Sequence, residues 1–144
     1  MGYPTLPALP IALTAYSLQA IIQMSWAIEY TEDFEGWWKS LDVEEQETVA
    51  AHVELLEQRG PQLPFPYSSS IQASKHGNMR ELRIQHQGRP LRILYAFDPR
   101  RVALLLLGGD KTGNDRWYEK SVPRADRLYD EHLEMLHKKG PTDG

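Results

Sequence analysis

Arg80-Glu81-Leu82-Arg83-Ile84-Gln85-His86, then Leu91-Arg92-Ile93-Leu94-Tyr95-Ala96-Phe97, then Val102-Ala103-Leu104-Leu105-Leu106-Leu107: these three runs decide the fold. The first alternates, with Leu82, Ile84 and His86 on one face and Glu81, Arg83 and Gln85 on the other. The second sets Leu91, Ile93, Tyr95 and Phe97 against Arg92, Leu94 and Ala96. Period-two alternation marks a half-buried strand. The third run is apolar on both faces, as expected of a central strand covered on both sides. The links are short: Gln87-Gly88-Arg89-Pro90, then Asp98-Pro99-Arg100-Arg101, with proline placed for a type I turn. Together they read as an antiparallel meander.

Upstream, Ser25-Trp26-Ala27-Ile28-Glu29-Tyr30 alternates as a first strand. Thr31 is a good N-cap, with Glu32 and Asp33 where a helix dipole favours carboxylates. Phe34, Trp38 and Leu41 then follow at helical spacing. Asp42 and Glu45 form a capping box for a second helix, whose stripe is Val49, Val53 and Leu56 and whose stop is Gly60-Pro61. Helices joined so tightly are expected to pack as an antiparallel hairpin, with Trp37 and Trp38 as its core and rim. Residues 62–74 read as a loop by their Pro and Ser content. Downstream, Asn114 or Asp115 caps a short helix carrying Trp117 and Tyr118. Pro123 suits the N1 position of a last helix striped by Ala125, Leu128, Tyr129, His132, Leu133 and Leu136. The expected fold is α+β, in the order β-α-α-β-β-β-α, with helices against a small antiparallel-rich sheet.

Residues 1–23 carry prolines at 4, 7 and 10, an apolar stretch from 11 to 22 and no basic n-region of a secretory signal. They are expected to be an over-called extension before a natural start at Met24; the alternative is an extra helix over 12–23. The domain is then 24–139, with 140–144 a flexible tail. No apolar run reaches the roughly 18 residues of a membrane span, so no membrane partner is expected.

At 144 residues, 41% hydrophobic and 25% charged, the chain suits one globular domain. The lack of cysteine excludes disulfides, thiolate metal sites and a cysteine nucleophile, and is compatible with the cytoplasm. The five histidines have no ligand-like spacing, so neither metal nor cofactor is expected. Gly108-Gly109-Asp110-Lys111-Thr112 lacks the spacing of a Walker motif.

Charge is unevenly distributed. The formal net charge is -4, yet residues 29–59 hold ten acidic side chains and two basic ones, and residues 72–116 hold nine basic and four acidic. Local field, not the total, steers a charged partner, so the basic stretch points to RNA. Within it, Arg83 and Arg92 come within reach of each other if their strand faces coincide. Arg92 shares its face with Leu94 and Ala96. An unpaired buried guanidinium is expensive, so Arg92 needs either a carboxylate, Glu81 or Asp110, or an anionic ligand. Convergence of Arg92, Arg83 and Lys111 on one concave patch is the discriminating expectation; neutralisation by Glu81 and Asp110 argues the other way.

Met79-Arg80-Glu81-Leu82-Arg83, Arg92 through Arg101, and Leu107-Gly108-Gly109-Asp110-Lys111-Thr112-Gly113 resemble the toxins of RelE/ParE-type toxin–antitoxin modules, closest to the phage-related HigB-like branch. The similarity runs from about Trp26 to the last helix. It implies a ribosome-dependent endoribonuclease that cuts mRNA by attack of a ribose 2′-hydroxyl on the adjacent phosphate. It also implies a cognate antitoxin, commonly a small helix-turn-helix protein. The implied catalytic residues are Arg92, Lys111, Arg83, Tyr118 and His76, and Arg80 is implied less directly; with Arg80, the remaining cations of the basic stretch, Lys75, Arg89, Arg100, Arg101 and Arg116, are the expected RNA contacts. The alternatives within the same fold are a ParE-like inhibitor of DNA gyrase and a non-catalytic binding module.

Overall fold

The computed structural model describes residues 25–139. The questions of a start at Met24, a helix over 12–23 and a tail at 140–144 lie outside those residues. The elements are β1 (Ile28–Tyr30), α1 (Glu32–Ser40), α2 (Val43–Arg59), β2 (Ser68–Ser70), β3 (Arg80–His86), β4 (Arg89–Phe97), β5 (Ala103–Asp110) and α3 (Trp117–Lys139), with a 3-10 turn at Gly60–Gln62. They form one five-stranded sheet in the order β1-β5-β4-β3-β2. The meander β3-β4-β5 is antiparallel, whereas β1 runs parallel to β5, so the sheet is mixed.

Helices cover both faces. One core joins Phe34, Val49, Val53 and Leu56 of the first two helices to Leu82, Ile84, Leu91, Ile93 and Leu105. The other joins Val122, Ala125, Leu128 and Tyr129 of α3 to Met79, Leu94, Ala96, Leu104 and Leu106. This is why the 102–107 run is apolar on both sides. The dominant contacts of α1 and α2 are with the sheet, over β5 and β3 respectively, rather than with each other.

The helix caps follow the sequence. Thr31 Oγ1 accepts the Phe34 N–H at 3.0 Å, and Asp42 and Glu45 form the reciprocal box at 2.8 Å in each direction. Gly60 ends α2 at φ +58, and a Cβ there would meet the Trp26 ring at 2.4 Å. The register of β5 slips by one residue against β4: Leu94 faces Leu107 and Tyr95 faces Leu105, which leaves Leu106 as a bulge. Its carbonyl is satisfied by the Thr31 hydroxyl at 2.7 Å. One threonine therefore caps α1 and fills the gap in the ladder.

Three expectations change. Residues 62–74 are not only loop, because Ser68–Ser70 pairs with Leu82, Glu81 and Arg80 and adds a strand to the expected order. The meander's first link is the two-residue turn Gln87-Gly88, with φ of +50 and +80, and Pro90 lies inside β4 opposite Gln85. The short helix and the last helix are one, with Pro123 seven residues in rather than at N1. Burial of Trp117, Val122 and Ala125 on either side of it outweighs the missing N–H.

Candidate functional site

The α3 face of the sheet brings four of the expected residues together near the N-terminus of that helix. Arg83 stands directly opposite Arg92, so their faces coincide. Two like charges in register repel, and Glu81, one step along β3 on the same face, lies between them. Its carboxylate is 3.1 Å from Arg83 Nη1 through one oxygen and 3.4 Å from Arg92 Nε through the other. Ser69 donates to the first oxygen at 2.7 Å, and the Tyr118 hydroxyl donates to the second at 2.5 Å. Arg92 Nε also lies 3.3 Å from the Tyr118 oxygen, and Lys111 Nζ sits 5.6 Å from the centre of the same ring. Glu81 and Arg92 are both buried.

Arg92 thus has a carboxylate partner, Glu81. Asp110 is taken instead by Arg89, at 2.8 Å. Pairing is present and convergence holds for the arginines: Arg83 and Arg92 share the one carboxylate of Glu81, while Lys111 lies over the Tyr118 ring, so the two arginines carry one positive charge more than Glu81. Burial raises the Tyr118 pKa, and the bond to Glu81 raises it further against the opposing pull of Arg92. The phenol is held protonated, as a donor.

Gly108 and Gly109 explain how Tyr118 reaches this place. A Cβ on Gly108 would lie 2.2 Å from the Trp37 ring on one face, and a Cβ on Gly109 would lie 2.4 Å from the Trp117 indole on the other. The paired glycines are seats for two indoles rather than a phosphate cradle. Trp117, seated on Gly109, sets α3 so that the next residue, Tyr118, meets Glu81 and Arg92. Arg92 is the strand partner of Gly109.

The other candidates lie elsewhere. His76 Nε2 is 2.7 Å from Asp130 and its ring packs edge-on to Tyr129, while Lys75 reaches Asp130 at 2.6 Å. Asp130 is twelve residues along α3 from Tyr118, about 18 Å at helical rise, so His76 does not join the cluster. Arg80, next to Glu81 in β3 but on the opposite face of the sheet, bonds Ser68 Oγ at 2.9 Å. Arg89 also pairs with Glu45 at 2.5 Å. Arg100 pairs with Asp98 and Glu29, and Arg101 lies over Trp26, both in the β4–β5 turn at the opposite end of the sheet. Arg116 is exposed beside Glu119. Glu81, which the sequence offered only as a counter-ion, is the hub. The signal for it was its place two residues before Arg83 on a strand facing Arg92.

Residues 36–130 match the family model "Phage derived protein Gp49-like (DUF891)". The chain belongs to this Gp49-like family, of RelE/HigB type. The match contains the whole Glu81 cluster. Two proteins of Mycobacterium tuberculosis are similar to this Gp49-like chain. "Putative toxin HigB2" is 40% identical over 120 residues, 80% of the chain and 60% of that protein. "Putative toxin HigB3" is 42% identical over 107 residues, 74% of the chain and 92% of that protein. The Gp49-like chain therefore spans less than two thirds of the first relative and nearly all of the second. Its α+β architecture is consistent with a small RelE-like fold. Among the described residues no helix is long and apolar enough to cross a membrane, and no three His, Asp or Glu side chains gather where a metal ion could be held.

Proposed function

We propose that this Gp49-like protein is the toxin of a toxin–antitoxin pair in the cytoplasm, held silent by a cognate antitoxin, and that it cleaves mRNA on the ribosome. The observation that carries the reading is the meeting of Arg83, Arg92 and Tyr118 on Glu81, with Lys111 over the Tyr118 ring. The similarity to two proteins named as toxins supports it.

The ribose 2′-oxygen attacks phosphorus, a 2′-O–P bond forms and the P–O5′ bond breaks, leaving a 2′,3′-cyclic phosphate. Glu81, the one carboxylate of the cluster, takes the 2′-hydroxyl proton once the substrate phosphate draws Arg83 and Arg92 away from it. Tyr118, held protonated, gives its proton to the departing 5′-oxygen. The Glu81–Tyr118 hydrogen bond then returns the proton from carboxyl to phenolate and resets the site. Arg92 and Arg83 stabilise the charge that builds on the phosphorane, and Lys111 adds to it from above the ring. His76 and Lys75, with Arg101 and Arg116, are left for docking to RNA or ribosome; Arg89 and Arg100 are each held between two carboxylates, and Arg80 lies on the other face of the sheet.

The test is induction of the full chain followed by mapping of transcript 5′ ends on translating ribosomes. Codon-phased cuts that vanish with Arg92→Ala are expected. Growth arrest with intact mRNA and a DNA-damage response would overturn the nuclease in favour of gyrase inhibition.

A further inference from the structure

Beyond the end of β2, the edge of β3 opens into a cavity of about 240 Å³ bordered by His52, Pro66, Tyr67, Arg83, Gln85 and Arg92. Two of the cavity's cations are the arginines of the Glu81 cluster, so the pocket and the cluster share a wall. Its outer side is aromatic. Among the described residues only three large hydrophobic side chains are exposed, and two of them, Phe65 at 69% and Tyr67 at 43%, flank this cavity through Pro66. The Arg83 guanidinium lies over the Phe65 ring, 5.2 Å from its centre. One arginine therefore touches both the aromatic platform and the carboxylate hub.

The polar groups fit the edge of a heterocycle. His52 Nδ1 lies 2.8 Å from the Thr48 carbonyl, which can only accept, so that nitrogen carries the proton. In the neutral ring, Nε2 is then an acceptor. The exposed Gln85 amide supplies a donor and an acceptor beside it. The Arg83 backbone N–H is occupied by the Tyr67 carbonyl at 2.8 Å, which fixes the platform to the strand that carries the cluster.

We propose that this cavity, with Phe65 and Tyr67, is a subsite for one unstacked RNA base next to the phosphate held by Arg83 and Arg92. This rests on the RNA-cleavage reading for the identity of the polymer. A base and its phosphate are joined through one ribose, so a base pocket serving the cluster must adjoin its arginines, and this one does. Single-stranded nucleic acid is gripped in this way, by a cationic track beside aromatic faces on which bases stack. The aromatic faces supply affinity, and His52 and Gln85 supply choice among bases.

The experiment uses the full chain and short single-stranded RNAs, 2′-O-methylated to block cleavage, with fluorescent 2-aminopurine moved one position at a time. Quenching at one position is expected on binding. Phe65→Ala and Tyr67→Ala should each abolish that quench and weaken binding about ten-fold. Phe65→Trp should keep both, and Gln85→Ala should keep the quench while levelling affinity among the four bases. No quench at any position, or a quench that survives both alanine variants, overturns the subsite. Mapping of mRNA ends with the same variants separates the two readings. Normal cuts by Phe65→Ala and Tyr67→Ala reject the subsite alone, whereas a position-specific quench from a chain that leaves mRNA intact rejects cleavage and keeps the subsite.

Discussion

Tyr118 is the residue whose role is most exposed to a single-atom change. Tyr118→Phe keeps the ring beneath Lys111 and removes only the donor to Glu81 and the contact with Arg92. Cleavage should fall by about 10²-fold or more, beyond what the loss of about 1.5 kcal/mol for a donor to a buried carboxylate explains, as read by primer extension beside thermal unfolding. Glu81→Gln acts on both activity and stability. It leaves two guanidiniums facing each other without their counter-charge, and loss of a buried partner costs about 3 kcal/mol, to be read from the urea midpoint. Asp98 makes the acid side of the stability curve predictable. Burial raises its pKa, but the bonds from His132, Arg100 and the Val102 N–H outweigh that and bring it down to about 2 from 3.8. A depressed carboxyl stabilises the fold above its ordinary value and loses that contribution as pH falls from about 4 towards 2. Asp98→Asn should cost about 2 kcal/mol at neutral pH and flatten the acid limb measured by circular dichroism.

At the scale of elements, strands with a two-residue period and helices with good caps were legible, while two features were not. The strand Ser68–Ser70 has no apolar alternation to betray it; it forms because Ser68 bonds the Tyr95 hydroxyl at 2.6 Å and Ser69 bonds Glu81. The single long α3 was hidden by Pro123, a local breaker that tertiary burial overrides. Of the site, Arg83, Arg92, Lys111 and Tyr118 could be placed from strand faces and order. The seat of Trp117 on Gly109 could not, because a glycine chosen for room looks the same in sequence as one chosen for a turn. Gly108→Ala and Gly109→Ala should each destabilise by about 1–3 kcal/mol, the range for an overpacked core. The two differ in activity. Gly109→Ala displaces Trp117 and with it Tyr118, so its cleavage should fall below what the loss of folded protein explains, whereas Gly108→Ala, clashing on the other face, should track stability alone.

For the whole molecule, the uneven charge read from the sequence becomes a network. Cations of the basic stretch reach across to the acidic one: Arg89 to Glu45, and Arg100 to Glu29. Arg124 does the same with Asp33. The helices that hold most of the acid cover one face of the sheet and the Glu81 cluster lies on the other. Affinity for single-stranded RNA should fall by about 0.7 log unit per log unit of salt for each phosphate gripped. Lys111→Ala should reduce that slope, whereas Arg100→Ala, whose charge is already matched at the far end, should not. The pairing of Arg89 and Arg100 has a practical corollary at the bench. A column of immobilised heparin senses free positive charge rather than arginine content, so Arg89→Ala and Arg100→Ala should elute at nearly the same salt as the parent chain, whereas Lys111→Ala should elute earlier.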